Sequence, residues 1–151
     1  MLVLLLGSVF GRAEGTCPWL NVATAAGFLG GPVSLEMHSA GGDEMACIFR
    51  LTEGTTLRRL EISVQETTKT LVAVKAQCTS TPMPMKAIGN EAILCAADSS
   101  GLKREQVVGR VRDKIFMVKL SDRAERDPAL LKKTMDNTVE RIAEQVAGAL
   151  F

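Results

Sequence analysis

The sequence is poor in the side chains on which most catalytic and nucleic-acid-binding sites depend. It contains one histidine, no tyrosine and only six aromatic residues (five Phe and one Trp) among 151. With a single imidazole in the chain, a nucleophile activated by a neighbouring base has little support. Few rings are available for base stacking, which weakens single-strand nucleic-acid binding. The composition therefore predicts a protein that is not an enzyme and does not bind nucleic acid.

The chain also lacks an excess of charge of either sign. Lys and Arg total 18 against 17 for Asp and Glu, a formal net charge of +1. This balance excludes a strongly basic nucleic-acid binder and an acidic solvating tail. A hydrophobic content of 46% excludes wholesale disorder, and the length of 151 residues is that of one ordinary domain.

No apolar run in the sequence is long enough to cross a bilayer. The run at 2–10 is followed by Ala13-Glu14-Gly15, a small-x-small cleavage pattern. We therefore predict a signal peptide over 1–15 and a single secreted domain over 16–151; the alternative is an amino-terminal core strand. The residues that precede Cys17 do not fit a lipid-modification site, so export without a lipid anchor is favoured.

Four cysteines support export. An even number in a secreted chain indicates two disulfides, for which three pairings exist. We prefer Cys17–Cys47 and Cys78–Cys95, because these close loops of moderate length and are each worth ~3 kcal/mol. The spacing fits no zinc site. The alternative is four free thiols in a cytosolic protein; we expect instead an exported location, periplasmic or extracellular.

Hydrophobic periodicity predicts an α+β fold. Asn21 caps a short helix over 21–29, the stretch 67–77 has helical spacing, and Asp127-Pro128 begins a long terminal helix. Alternating stretches predict strands at 32–38, 44–51, 59–65, 92–97, 106–112 and 115–120. Prolines in Thr81-Pro82-Met83-Pro84-Met85 predict a loop there. The expected architecture is a single antiparallel sheet of about five or six strands, with a short N-terminal helix, a middle helix and a long C-terminal helix packed on it.

The clearest local signal is a hairpin near the end of the sheet. Asp113-Lys114 is a candidate two-residue turn. Counting outward from that turn predicts three facing pairs on the core side: Val111 with Phe116, Gly109 with Val118, and Val107 with Leu120.

Several short motifs resemble a group of bacterial exported domains of unknown function. The group occurs as actinobacterial lipoproteins and in the extracellular sensor regions of bacterial Ser/Thr kinases. The matching features are Cys17, Ala25-Ala26-Gly27-Phe28-Leu29-Gly30-Gly31, Cys47 in a strand, Ala87-Ile88-Gly89-Asn90-Glu91-Ala92 before a strand, the valine-rich hairpin and the terminal helix. The resemblance implies an α+β fold with disulfides and a binding or sensing role, and it supplies no catalytic residue.

One face of the predicted hairpin mixes basic with apolar side chains and is a candidate binding surface. Its basic members are Arg110, Arg112 and Lys119, with Lys114 at the tip and Ile115 and Met117 between them. Such a face could receive an anionic ligand, a partner protein of the envelope or an acidic envelope polymer. The alternative is a solvated sheet face partly covered by a helix.

A second hypothesis is soft-metal binding. Met83 and Met85 flank a proline, and His38 lies in an early strand. Thioethers and imidazole suit Cu(I), although methionine is also a common core filler. We therefore predict an exported, non-catalytic binding or interaction module that requires no cofactor. The runner-up is a periplasmic copper-handling protein that uses the Met-x-Met loop.

Overall fold

The computed structural model describes residues 15–39, 43–53, 58–66, 71–72, 77–123 and 127–151. The signal peptide predicted over 1–15 lies outside these residues, apart from Gly15, and stays a prediction. Among the described residues, neither helix combines the length and the apolar composition that crossing a membrane requires.

The structure is dominated by one antiparallel sheet of seven strands in the order β1-β2-β3-β7-β6-β5-β4. The strands are β1 (Val33–Ser39), β2 (Glu44–Leu51), β3 (Arg58–Glu66), β4 (Met83–Met85), β5 (Glu91–Ala96), β6 (Lys103–Val111) and β7 (Lys114–Asp122). The described residues contain two helices, α1 (Val22–Leu29) and α2 (Pro128–Leu150). The predicted α+β fold with three helices on five or six strands is therefore wrong, and the fold is sheet-rich. Most of the predicted middle helix, 67–77, lies outside the described residues.

One extra strand comes from a stretch whose prolines predicted a loop. Met83–Met85 forms β4, which pairs with β5 at the edge of the sheet. Proline has no backbone N–H, so it is excluded from central strands but accepted at an edge. Pro84 is compatible with this position because β4 has a neighbour on one side only.

The residues predicted to cap the two helices do so in the structure. The Asn21 side chain accepts a hydrogen bond from the Thr24 N–H at 2.8 Å, and Gly30 ends α1 at a φ of 84°. The Asp127 side chain caps α2, whose first residue is Pro128. Both helices lie on one face of the sheet, α1 against β1–β3 and α2 against β6 and β7. We call this the helix face and the opposite side the outer face.

The main core lies between the helices and the helix face. Every second residue of the central strands contributes to it, as the period of a strand requires. Its fully buried large side chains include Leu29, Phe49, Leu60, Ile62, Phe116, Val118 and Ile142. A smaller cluster covers part of the outer face, where Leu71 packs on Ile93, Val108 and Ile115.

Two disulfides tie the peripheral segments to the sheet. Cys17 bonds to Cys47 at the centre of β2, and Cys78 bonds to Cys95 in β5. These are the two pairs that loop length favoured. Because disulfides persist in oxidising compartments, they indicate an exported protein.

The terminal hairpin forms, but its register differs from the predicted one. Gly109 faces Phe116 and Val107 faces Val118, because the two-residue turn is Arg112-Asp113 and not Asp113-Lys114. Moving the turn by one residue leaves the same side chains on the core side while changing every partner. The observed register places Gly109, which has no side chain, opposite the Phe116 ring of β7. A Cβ atom at Gly109 would lie 2.5 Å from the Phe116 ring.

We predict that Gly109→Ala destabilises the protein by about 2 kcal/mol, because the added methyl group overpacks a fully buried ring. Chemical denaturation measures the difference. The matched control is Gly148→Ala in α2, where nothing lies within 4 Å of the added atom. That variant should be more stable by about 0.5–1 kcal/mol through helix propensity. Equal losses in both variants would contradict the observed register.

Candidate functional site

The structure does not bring the predicted copper ligands together. His38 lies on β1 and the two methionines, Met83 and Met85, lie on β4, at opposite edges of the sheet. Six strand intervals separate these edges, a distance of roughly 29 Å at about 4.8 Å per interval. The His38 Nε2 atom instead contacts Glu36 Oε1 at 2.7 Å. In the described parts of the chain, no group of three or more His, Cys, Asp or Glu residues could hold a metal ion.

The predicted basic face of the hairpin is also divided. Arg110 pairs with Glu91 at 3.3 Å, and Arg112 occupies the turn at a φ of 56°. Lys114 shares the side of β7 that carries Phe116, whereas Lys119 points to the outer face and faces Glu61 of β3. The apolar residue between them, Ile115, is only 3% exposed because it belongs to the outer cluster beneath Leu71. These four basic residues do not form one continuous surface.

A different set of basic residues converges on the outer face. Arg50 of β2 lies directly opposite Arg59 of β3, Arg59 lies opposite Ser121 of β7, and Ser121 lies opposite Arg104 of β6. Four adjacent strands therefore present three arginines and one serine in a single line across the sheet. We call Arg50, Arg59, Ser121 and Arg104 the arginine row. Neighbouring strands are about 4.8 Å apart, so these long side chains are within reach of one another.

The positive charges and hydrogen-bond donors of the arginine row are only partly paired with other side chains. Arg50 pairs with Glu36, and Arg59 Nη2 pairs with Glu61 Oε2 at 3.0 Å. Arg104 Nη1 donates to the Ser99 hydroxyl at 2.6 Å. The Nε atoms of Arg59 and Arg104 are buried without an acceptor among the described residues. A buried donor without an acceptor costs about 1–3 kcal/mol, so these two positions lower the stability of the fold.

The row borders a pocket of about 210 Å³ at one end of the sheet. Its lining comprises Arg50, Leu51, Arg58, Arg59, Leu102, Arg104 and Ser121. Arg58 is held from the helix face by an ion pair with the buried Asp122, at 3.0 Å. A guanidinium presents several N–H donors in a plane and binds carboxylate or phosphate oxygens in pairs. The arrangement is suited to bind an anion, and it offers no nucleophile–base pair.

A second polar cluster lies between β6 and α2. Lys132 Nζ contacts Glu105 Oε1 at 3.3 Å and Asp136 Oδ2 at 2.9 Å. Glu105 is only 5% exposed, and no donor of the described residues reaches its Oε2 atom. Burial, together with the charge of Asp136 and a hydrogen bond to it, raises the pKa of Glu105 to about 7. The Glu105 carboxyl is therefore partly protonated at neutral pH.

Comparisons with known proteins supply no family. No family model matches the chain, and no curated protein matches it. A solved structure described by the words "The Siderocalin Ex-FABP functions through dual ligand specificities" is 16% identical over 72% of this chain and 68% of its own, with a TM-score of 0.22. Nothing about fold or ligand follows from so low a TM-score. The resemblance to exported sensor domains stays a prediction.

Sequence reasoning missed the arginine row and the buried carboxylate cluster. Arg59 alternates with buried residues, which indicates a solvent-facing position on its own strand and nothing about neighbouring strands. The neighbours of Arg59 across the sheet lie on β2 and β7, and Arg104 lies on β6, the strand beyond β7. A signal was available for Glu105, since it shares the period of Val107 and Val111 on the core side of β6.

Proposed function

We propose that the protein is an exported, non-catalytic binding module that captures an anionic ligand at the arginine row. The observation that carries the proposal is the line of three arginines across four strands, all of which line one pocket. The two disulfides support the exported location. The proposal keeps the binding role predicted from the sequence and moves its site from the turn of the hairpin to the opposite end of β6 and β7 and to the neighbouring β2 and β3.

The arginine row destabilises the folded protein when no ligand is bound. Like charges directly opposite one another in a sheet are destabilising, and Arg50 and Arg59 occupy such a position. Surface ion pairs with Glu36 and Glu61 contribute only about 0–1 kcal/mol each. An anion bound over Ser121 would reduce the repulsion between the guanidinium groups. Residues that lower stability while creating a recognition surface are typical of binding sites.

We expect Arg59→Gln to weaken anion binding by about tenfold or more, because a hydrogen bond to a charged group is worth about 1.5–3 kcal/mol. The measurement is a titration of the ¹⁵N-labelled protein at low ionic strength with acetate and with inorganic phosphate, followed by NMR at the Arg59 and Arg104 Nε resonances. Binding should weaken with added salt.

The matched control is Arg112→Gln, which removes an exposed arginine from the hairpin turn. It should leave the anion affinity unchanged. Arg59→Gln should also be as stable as the parent protein or slightly more stable, because it removes a like-charge pair. If neither anion perturbs the row, or if Arg112→Gln alone abolishes binding, the proposed site is wrong.

A further inference from the structure

We propose that the ligand of the arginine row is a small aliphatic monocarboxylate, an inference that rests on the anion site proposed above. The charges around the pocket favour one negative charge over two. Four arginines line it, and their ion-pair partners are three carboxylates: Glu36, Glu61 and Asp122. The lining and its partners therefore carry a net charge of +1, which a single carboxylate neutralises and a phosphate dianion exceeds.

The remaining wall of the pocket is apolar. Leu51 ends β2, and Leu102 stands in the short turn that precedes β6; both are half-buried and both line the pocket. The methylene stems of the arginines add further apolar surface, since guanidinium side chains keep their charge at the tip. An inorganic anion would leave these walls facing water. A ligand with a carboxylate at one end and a short hydrocarbon chain would use both parts of the lining.

The volume of the pocket limits how much of that chain can be buried. A volume of about 210 Å³ holds roughly seven water-sized groups at about 30 Å³ each. The three heavy atoms of a carboxylate leave room for about four more carbons. Each buried methylene contributes about 0.8 kcal/mol, so affinity should rise about fourfold per carbon until the pocket is filled.

The test is a chain-length series on the full protein: acetate, butanoate, hexanoate and octanoate, each titrated against the Arg59 and Arg104 Nε resonances. Inorganic phosphate and hexanol serve as a dianion without a chain and a chain without a charge. We expect affinity to rise steeply until about four carbons beyond the carboxylate are buried, which falls between butanoate and hexanoate, and to be no higher with octanoate. Hexanoate should bind at least tenfold more tightly than phosphate or hexanol.

Two leucine variants test whether the apolar wall binds the hydrocarbon chain. Leu102→Ser should remove the gain from acetate to hexanoate, whereas Leu130→Ser, at an exposed leucine of α2, should change neither that gain nor acetate binding. The chain-length series on the parent protein shows whether affinity depends on the hydrocarbon chain, even if Leu102→Ser folds poorly. Phosphate that binds as tightly as hexanoate, in an Arg59-dependent manner, would overturn the monocarboxylate while leaving the anion site in place. Failure of every anion to perturb the row would overturn both proposals.

Discussion

Replacing Cys17 and Cys47 by alanine should lower the free energy of unfolding by about 3–4 kcal/mol. The two residues are 30 apart in sequence, and cross-linking a loop of that size removes this much chain entropy from the unfolded state. The bond joins the segment before α1 to the centre of β2, where Cys47 is wholly buried. Guanidinium denaturation at neutral pH, with intact and reduced samples, measures the effect.

The second disulfide provides the matched comparison. Cys78 and Cys95 are 17 residues apart, so replacing both by alanine should cost somewhat less, about 3 kcal/mol. Reduction of the parent protein should cost more than either double variant. If either double variant lost less than 1 kcal/mol, that bond would not hold the fold together. Losses of the expected size mean that the folded protein depends on an oxidising compartment, in agreement with export.

Features determined by neighbouring residues were predictable from the sequence. The α1 cap at Asn21, the Asp127-Pro128 start of α2 and the alternation of β3 each need only a few adjacent positions. The predicted strand at 44–51 has the observed bounds of β2. The faces of the terminal hairpin were also correct, although the turn was placed one residue too late.

Features that depend on strand order were not predictable. Ser121 lies in line with the three arginines only because β7 lies between β3 and β6. The pairing of β3 with β7 joins Arg58 to Asp122, which are more than 60 residues apart in sequence. No periodicity in a single strand indicates which distant strand will lie beside it. For the same reason, the sequence placed His38 and the two methionines in one candidate copper site although they lie at opposite edges of the sheet.

The buried carboxylate of Glu105 should make stability fall as the pH rises. Its pKa in the folded protein is about 7, raised chiefly by burial and also by Asp136, against an ordinary value of 4.5. The folded protein therefore binds a proton that the unfolded chain has released, and this favours folding. The contribution is fully present below pH 4.5, declines as the pH approaches 7 and is lost above it. The full shift corresponds to at most about 3 kcal/mol, and the Lys132 ammonium reduces the cost of the charged form.

Glu105→Gln tests this directly, because the amide keeps the shape of the side chain and cannot ionise. We expect the variant to be more stable than the parent protein at pH 8, by about 1–3 kcal/mol, and close to it at pH 5. Urea denaturation at pH 5, 6, 7 and 8 gives both profiles. Glu144→Gln on the exposed side of α2 should reproduce the parent profile. A parent protein whose stability stays flat from pH 5 to pH 8, or rises, would show that Glu105 is ionised throughout this range and held by Lys132.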